Sequence, residues 1–237
     1  MSTLKVSVWR SGGSDVQEHF DVPRKENQTI LDVVTYIQRN LDPTLSYRYA
    51  CRVGMCGSCA MSVNGKARWT CRTHVDKVCN DDVLELRPLE NFPVVKDLVC
   101  DMQTFFDKQK KAGGAFQGTR TREDSVSLIK PDSNGRMAVD EAIECIGCGV
   151  CYASCDIVKW KPDYLGPAAL NRTWTLVQDE RDTRRLDRLR AVSGDAGCHS
   201  CHSQMSCTQR CPKQLSPTHS ISGLKREVSR AALKGEL

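Results

Sequence analysis

Aromatic residues make up only 6% of this 237-residue sequence, and no apolar run approaches the length of a membrane-spanning helix. The opening residues, Met1–Lys5, show neither the basic and apolar segments of a secretory signal nor the arginine-rich pattern of a transit peptide. The sequence also lacks a G-x-G-x-x-G motif and a P-loop, the common nucleotide-binding motifs. Because targeting signals and a membrane-spanning run are both missing, we expect a chain that stays in the reducing compartment where it is made and does not cross a membrane by itself.

Cysteine, by contrast, is abundant, with 14 residues, eleven of which form three groups with the short spacings typical of iron–sulfur ligands. In a reducing compartment these numbers indicate metal binding and not disulfides. An oxidised iron–sulfur cluster with its thiolates carries roughly −2 charges, so three clusters would offset the formal net charge of +5. We interpret the basic surplus as counter-charge and solvated surface, since the sequence lacks the aromatic–basic interleaving of a nucleic-acid binder.

The first group consists of Cys51, Cys56 and Cys59, followed at a distance by Cys71. Its C-x4-C-x2-C spacing is typical of plant-type [2Fe–2S] ferredoxins. Glycines between the cysteines allow backbone N–H groups to approach the bridging sulfides. The alternative is a zinc site, but three cysteines crowded into nine residues match the usual spacing of zinc ligands poorly.

The second group fits the C-x2-C-x2-C-x3-C run of bacterial ferredoxins in full, although Asp156 stands where proline usually follows. The third group ends in Cys211-Pro212 and fits the same run, except that Gln204 occupies the position of the second cysteine. In two-cluster ferredoxins the fourth cysteine of a run binds the other cluster. The pattern therefore predicts a [4Fe–4S] cluster on Cys145, Cys148, Cys151 and Cys211, and a [3Fe–4S] cluster on Cys155, Cys201 and Cys207.

Two alternatives stay open for the third group. The first is that the Gln204 amide oxygen, or water, binds a fourth iron, although iron in a sulfide cluster prefers thiolate. The second is that Cys198, three residues before Cys201, replaces a ligand, although it does not fit the run. Otherwise Cys79, Cys100 and Cys198 are expected to be free or packing cysteines.

Hydrophobic periodicity divides the chain into a β-rich part and a helical part. In the first part, Thr29 is a plausible N-cap for a helix over Ile30–Asn40, and Asn64-Gly65 predicts a hairpin. Its other strands are predicted over Leu4–Trp9, Phe20–Pro23 and Val83–Leu86. The helices of the second part are predicted over Asp97–Lys111, Asp140–Cys155, Pro167–Val177, Arg181–Ala191 and Ser220–Lys234.

The fold class that follows is α+β. We predict a β-grasp plant-type [2Fe–2S] ferredoxin domain over residues 1–100, followed by an all-α domain over residues 101–237 that resembles the two-cluster bacterial ferredoxins. No substrate-binding constellation accompanies the cysteines. Three clusters of different types in one small chain indicate an electron relay, whose potentials the protein sets through ligands, charge and burial.

Five segments carry a resemblance to a known family: Tyr47–Met61, Val94–Val99, Glu144–Cys148, Cys201–Ser203 and Cys207–Lys213. Through them the chain closely resembles, over nearly its whole length, the iron–sulfur subunit of succinate dehydrogenase and fumarate reductase. The order [2Fe–2S], [4Fe–4S], [3Fe–4S] in this spacing is highly specific to that family.

The resemblance implies that a partner flavoprotein with covalent FAD interconverts succinate and fumarate, and that this subunit holds no catalytic residue for the dicarboxylate. Electrons then pass singly through the three clusters to a quinone at membrane-anchor subunits, which often contain haem b. A peripheral position on the cytoplasmic face of a prokaryotic inner membrane is also implied. The alternatives are a soluble fumarate reductase, a related flavoenzyme with another acceptor, and a structural zinc protein without a redox role.

The family's quinone pocket borrows residues near the [3Fe–4S] cluster, and the resemblance implies this role for Trp160 and His202. The alternatives are ordinary packing for Trp160 and a hydrogen-bond donor to the cluster surroundings for His202. Asp156 and Gln204 depart from the family pattern beside the same cluster. They therefore leave the details of the quinone pocket open.

Overall fold

The structure, a computed structural model, describes residues 2–12, 16–79 and 81–237. The chain forms two compact units, the first comprising Met1–Met102 and Ile146–Ser154, the second Gln103–Cys145 and Cys155–Leu237. The second cysteine group is thus divided between the units. The predicted division into two continuous domains at residue 100 does not include the segment Ile146–Ser154 in the first unit. The domain division stays a prediction.

The first unit contains a mixed five-stranded sheet, in which the neighbours follow the order β2 (Val16–Pro23), β1 (Thr3–Arg10), β5 (Val83–Arg87), β3 (Ala60–Val63) and β4 (Lys66–Trp69). Strands β1 and β5 are parallel. Apolar residues alternate along β1, so that one face of that strand enters the core. The core is completed by the buried apolar face of helix α1. The elements are β1 (Thr3–Arg10), β2 (Val16–Pro23), α1 (Ile30–Tyr36), a π-helical turn (Ile37–Leu41), β3 (Ala60–Val63), β4 (Lys66–Trp69) and β5 (Val83–Arg87).

Several local predictions for this unit are confirmed. Thr29 caps α1, since its side chain accepts from Asp32 N and the Asp32 carboxylate accepts from Thr29 N in return. Asn64-Gly65 forms the turn between β3 and β4. The short 3-10 turns Thr70–Arg72 and Val75–Lys77 follow β4.

The predicted helix from Asp97 to Lys111 is wrong over its first turns. A small hairpin of β6 (Val94–Lys96) and β7 (Val99–Cys100) stands there instead, and α2 (Gln103–Lys111) begins after it. Asp97 has a φ of 48°, outside the range of a right-handed helix. Its buried carboxylate accepts from the N–H groups of Ser11 at 3.1 Å and Ser46 at 2.9 Å, contacts between distant parts of the chain that periodicity does not report.

The second unit is helical, as predicted. Its central helix α6 is almost wholly buried and packs against α2, α7 and α9. None of the helices in the described part of the chain combines the length and apolar content that a bilayer crossing demands. The remaining helices are α3 (Asn134–Ala138), α4 (Val150–Ala153, in the first unit), α5 (Asp156–Trp160), α6 (Pro167–Val177), α7 (Arg185–Ser193), α8 (Ser206–Gln209) and α9 (Pro217–Leu233), with 3-10 turns at Ala142–Glu144 and Cys198–Ser200.

The predicted continuous helix from Asp140 to Cys155 is also wrong. A 3-10 turn is followed by a loop containing Cys145 and Cys148, and only then by α4. Gly147 and Gly149 adopt φ values of 65° and 80°, which interrupt any right-handed helix at the cysteines. Periodicity does not detect this loop, because the apolar residues on either side keep helical spacing.

A buried ion pair between Arg188 and Asp182 stabilises the packing of α7 against the segment that follows α2. The Arg188 and Asp182 side chains are 2% and 0% exposed, and Arg188 Nε donates to Asp182 Oδ1 at 3.0 Å. Arg188 Nη2 also donates to the Ala115 carbonyl at 2.6 Å, and Nη1 donates to the Gly113 carbonyl. Burial by itself raises the pKa of Asp182, but hydrogen bonds from Arg188 and from the N–H of Gln117 outweigh it and hold the pKa below its usual range.

We expect Arg188→Met to lower the free energy of unfolding by about 3–5 kcal/mol, because it leaves the Asp182 carboxylate buried without its cation. Chemical denaturation of the holo-protein, followed by circular dichroism, measures this. The matched control is Arg184→Ala, whose side chain is 58% exposed and pairs with Asp187 at the surface, so the expected change is under about 1 kcal/mol. Equal effects of the two substitutions would contradict the prediction.

Candidate metal centres

The first cysteine loop directs backbone N–H groups at one sulfur. Met55 N and Cys56 N donate to Cys51 Sγ at 3.2 and 3.3 Å. Together with the N–H of Val53, the largest contribution, they lower the pKa of Cys51 to about 6. The Cys51 sulfur is therefore mainly a thiolate at neutral pH, the form that binds iron.

Two cysteines of the same group are buried beside that loop. Cys59 and Cys71 belong to an apolar cluster with Leu31, Trp69 and Val150. Burial, helped by a hydrogen bond and charge repulsion from Cys59, raises the pKa of Cys71 to about 11, and the Cys51 charge also contributes. The structure thus brings Cys51, Cys59 and Cys71 into one electrostatic neighbourhood, and Cys56 is hydrogen-bonded to Cys51.

The loop accommodates only glycine at two positions between these cysteines. Gly54 and Gly57 have φ values of 74° and 73°. A Cβ on Gly57 would lie 2.4 Å from Cys148 Cβ, and a Cβ on Gly54 would lie 2.8 Å from Arg72 Cγ. The backbone therefore lies close against its neighbours with its N–H groups turned toward the cysteine sulfur. This arrangement fits an anionic [2Fe–2S] cluster held by the four cysteines.

The four cysteines predicted for the [4Fe–4S] cluster are divided between the units. Cys148 and Cys151 lie in the first unit, beside and within α4, and Cys145 and Cys211 lie in the second. Within the second unit, Lys213 Nζ lies 3.4 Å from Glu144 Oε2, which joins the chain next to Cys145 to the chain that follows Cys211. The four-cysteine ligand set stays a prediction.

The three cysteines predicted for the [3Fe–4S] cluster share one neighbourhood in the second unit. Burial raises the pKa of Cys155, and the nearby charges of Cys207 and Cys201 raise it further. Burial also raises the pKa of Tyr164, with smaller contributions from the same three cysteines. The Tyr164 hydroxyl donates to the Cys201 side chain, and Ser203 N donates to Cys201 Sγ at 3.4 Å. Thiols of this kind are ionised when metal replaces the proton.

The residues predicted for the quinone pocket lie at the surface of the second unit. Trp160, the last residue of α5, is 68% exposed, which is unusual for an indole side chain. His202, Gln204 and Asp156 are exposed as well. Their exposure is compatible with contact to another molecule, and the quinone pocket stays a prediction.

The three cysteines outside the groups occupy packing positions. Cys198 and Cys100 are buried, and Cys79 is half-buried. Cys79 Sγ lies 3.4 Å from the Val83 carbonyl and Cys100 Sγ lies 3.7 Å from the Leu89 carbonyl. Burial raises the pKa of Cys198 to about 11, so it is a protonated thiol unless it binds metal.

Among the described residues, no three histidine, cysteine or acidic side chains converge on a point that a single metal ion would occupy. In an iron–sulfur cluster the thiolates are distributed over two or more irons and do not converge on a single ion, so the cysteine groups are judged as cluster ligands. A β-grasp unit with a [2Fe–2S]-type loop and a helical unit with ferredoxin runs define an iron–sulfur protein of the electron-transfer class.

Comparison with known proteins gives the same class. Residues 4–107 match the 2Fe-2S iron-sulfur cluster binding domain, and residues 141–215 match the 4Fe-4S dicluster domain. The fumarate reductase iron-sulfur subunit of Escherichia coli O6:H1 is 32% identical over 235 residues, which cover 97% of this chain and 95% of the relative. The mitochondrial succinate dehydrogenase [ubiquinone] iron-sulfur subunit of Dictyostelium discoideum is 35% identical over 203 residues, covering 83% of this chain and 70% of the relative.

A solved structure shows the same architecture over nearly the full length. A chain of the Mycobacterium smegmatis Sdh1 complex in the apo form matches with a TM-score of 0.85 at 25% identity, covering 96% of each chain. The chain belongs to the family of fumarate reductase and succinate dehydrogenase iron–sulfur subunits. The resemblance and the α+β fold class inferred from the sequence are thereby confirmed.

Some groups around the cysteines were not identified from the sequence. Tyr164 lies among three predicted cluster ligands, and Thr218 lies 3.4 Å from Cys207 Sγ. The close approach of Gly57 to Cys148 was also missed. Each contact involves a residue outside the cysteine run that it touches, so spacing within a motif carried no signal for it.

Proposed function

We propose that this chain relays electrons one at a time between the FAD of a partner flavoprotein and a quinone. The observation that carries the proposal is the set of three cysteine groups, with Gln204 in place of the last group's second cysteine, in a member of this family matched over nearly its whole length. In the proposal, dicarboxylate chemistry belongs to the flavoprotein. This chain supplies ligands, hydrogen-bond donors and burial.

The proposed ligand sets are the three that the sequence predicts. The bound clusters would supply one-electron redox chemistry at different potentials. The chain's own residues give each set a different environment. Cys51 receives backbone N–H donors in an exposed loop. Cys155 and Cys207 lie instead where burial raises their pKa values. Such differences in donors and burial are the means by which a protein separates cluster potentials.

We assign quinone contact in this proposal to Trp160 and His202, next to partner membrane-anchor subunits that would carry haem b. The 68% exposure of Trp160 supports this, because a large aromatic side chain at the surface gains most when a partner or ligand covers it. The corresponding location is peripheral, on the cytoplasmic face of a prokaryotic inner membrane.

The experiment uses the intact complex isolated from its host with the partner subunits in place. Trp160→Leu should lower succinate-to-quinone electron transfer by about tenfold or more, equivalent to about 1.4 kcal/mol. Succinate-driven reduction of a soluble dye that accepts electrons before the quinone should stay at the unsubstituted level. The matched control is Phe116→Leu, an exposed aromatic residue of the same unit, 46% exposed, which should change neither rate.

Other outcomes discriminate between the functions. If succinate reduces none of the clusters and fumarate reoxidises none of the dithionite-reduced clusters, the proposed function is wrong. A complex that stays in the soluble fraction and exchanges no electrons with quinones would favour the soluble fumarate reductase or a flavoenzyme with another acceptor. A colourless zinc-loaded protein would exclude any redox role.

A further inference from the structure

A chain of hydroxyl groups leads to the sulfur of one predicted cluster ligand. Thr218 Oγ1 lies 3.4 Å from Cys207 Sγ, and Thr208 Oγ1 donates to Thr218 Oγ1 at 2.9 Å. Ser216 Oγ lies 3.4 Å from Thr208 Oγ1. Cys207 is buried, with 7% exposure, so water does not readily replace these contacts.

Backbone N–H groups at the start of α9 also donate to two of these hydroxyls. His219 N donates to Ser216 Oγ at 3.3 Å, and Thr218 N donates to Thr208 Oγ1 at 3.4 Å. A backbone N–H only donates, so it occupies acceptor capacity on the hydroxyl that it contacts. The single Thr208 proton goes to Thr218, so Ser216 is the donor in its contact with Thr208. A Cys207 sulfur that binds metal carries no proton, so in its contact with Thr218 it accepts.

The consequence for Cys207 is a permanent donor on its sulfur. The Thr218 hydroxyl, 3.4 Å from this sulfur, stabilises negative charge on it by donating a hydrogen bond. A donor that favours negative charge on the sulfur also favours the more negative, reduced state of an attached cluster.

We infer that Thr218, oriented by Thr208 and Ser216, is a positioning residue that raises the reduction potential of the cluster bound by Cys155, Cys201 and Cys207. The inference rests on the proposed ligand set. It deepens the proposed function, because a higher potential at the terminal cluster draws electrons toward the acceptor side.

The test is a mediator-controlled redox titration of the holo-protein, with the terminal cluster monitored by EPR. Thr218→Val preserves the side-chain shape and removes the hydroxyl. At a fixed applied potential, the ratio of reduced to oxidised terminal cluster should fall by about three- to tenfold, which is about 30–60 mV at 59 mV per decade. Thr218→Ser keeps the donor and should retain the unsubstituted potential. The [2Fe–2S] potential serves as the internal control and should not move.

A second substitution keeps the inference testable if Thr218→Val fails to fold. Thr208→Val leaves Thr218 in place but removes its orienting donor, so the shift should have the same sign and a smaller size. An unchanged terminal-cluster potential in a folded Thr218→Val or Thr208→Val protein overturns the inference, as does an equal shift in Thr218→Ser. The titration uses no substrate, so its result does not depend on the proposed function. An unchanged terminal-cluster potential contradicts the inference even if the complex oxidises succinate. A lowered potential supports the inference even if the complex acts on a substrate other than succinate or fumarate.

Discussion

Gly57→Ala is expected to abolish assembly of the [2Fe–2S] cluster and to destabilise the first unit. The new Cβ would lie 2.4 Å from Cys148 Cβ and 3.0 Å from Cys148 Cα, so the backbone itself would have to move. Overpacking of this kind costs about 1–3 kcal/mol, and a φ of 73° adds about 1–2 kcal/mol for a residue with a Cβ. The displaced segments carry Cys56 and Cys148, ligands predicted for two different clusters.

Iron and acid-labile sulfide content, with EPR of the dithionite-reduced protein, measures the loss. Gly65→Ala is the matched control, since Gly65 has a φ of 70° but nothing within 4 Å of an added Cβ. It should keep its full cluster content and lose only about 1–2 kcal/mol of stability. A Gly57→Ala protein with the cluster content of the Gly65→Ala protein would contradict the close contact described for Cys148.

Gln204→Cys is expected to convert the three-iron cluster into a [4Fe–4S] cluster. The substitution completes the C-x2-C-x2-C-x3-C-P run, and iron in a sulfide cluster binds thiolate more readily than a neutral amide. Gln204 is exposed, so the change should cost the fold little. The three-iron EPR signal of the oxidised protein should disappear, and the reduced protein should gain a second [4Fe–4S] signal.

Gln204→Ala separates this explanation from its alternative. If position 204 contributes no ligand, the alanine variant keeps the spectrum of the unsubstituted protein. If the Gln204 amide holds a fourth iron, the oxidised spectrum changes in the alanine variant, and the missing-cysteine explanation is wrong.

Much of this molecule follows from local sequence. Alternation places one face of β1 in the core, and Thr29 and Asn64-Gly65 mark a cap and a turn through their own side chains and backbone. The cysteine spacings and the family resemblance indicated iron–sulfur chemistry because ligand runs of this kind are short and contiguous. These features depend on neighbours in the chain.

The features that sequence reasoning missed depend on distant contacts. The segment around Asp97 keeps helical spacing, yet Ser11 and Ser46 hold it as a turn. The loop containing Cys145 and Cys148 lies inside an apparently periodic stretch, and left-handed glycines break it. Thr218 belongs to no motif, and its hydroxyl contacts Cys207 Sγ because the start of α9 lies against that cysteine.

We expect this chain to carry three clusters of different types, the last with three irons, and the proposed electron relay depends on this expectation. Low-temperature EPR of the air-oxidised and then dithionite-reduced holo-protein tests it most directly. In the air-oxidised sample we expect the near-isotropic signal of an oxidised [3Fe–4S] cluster, replaced on reduction by signals of [2Fe–2S] and [4Fe–4S] clusters. An air-oxidised protein that contains its full iron but gives no three-iron signal would contradict it.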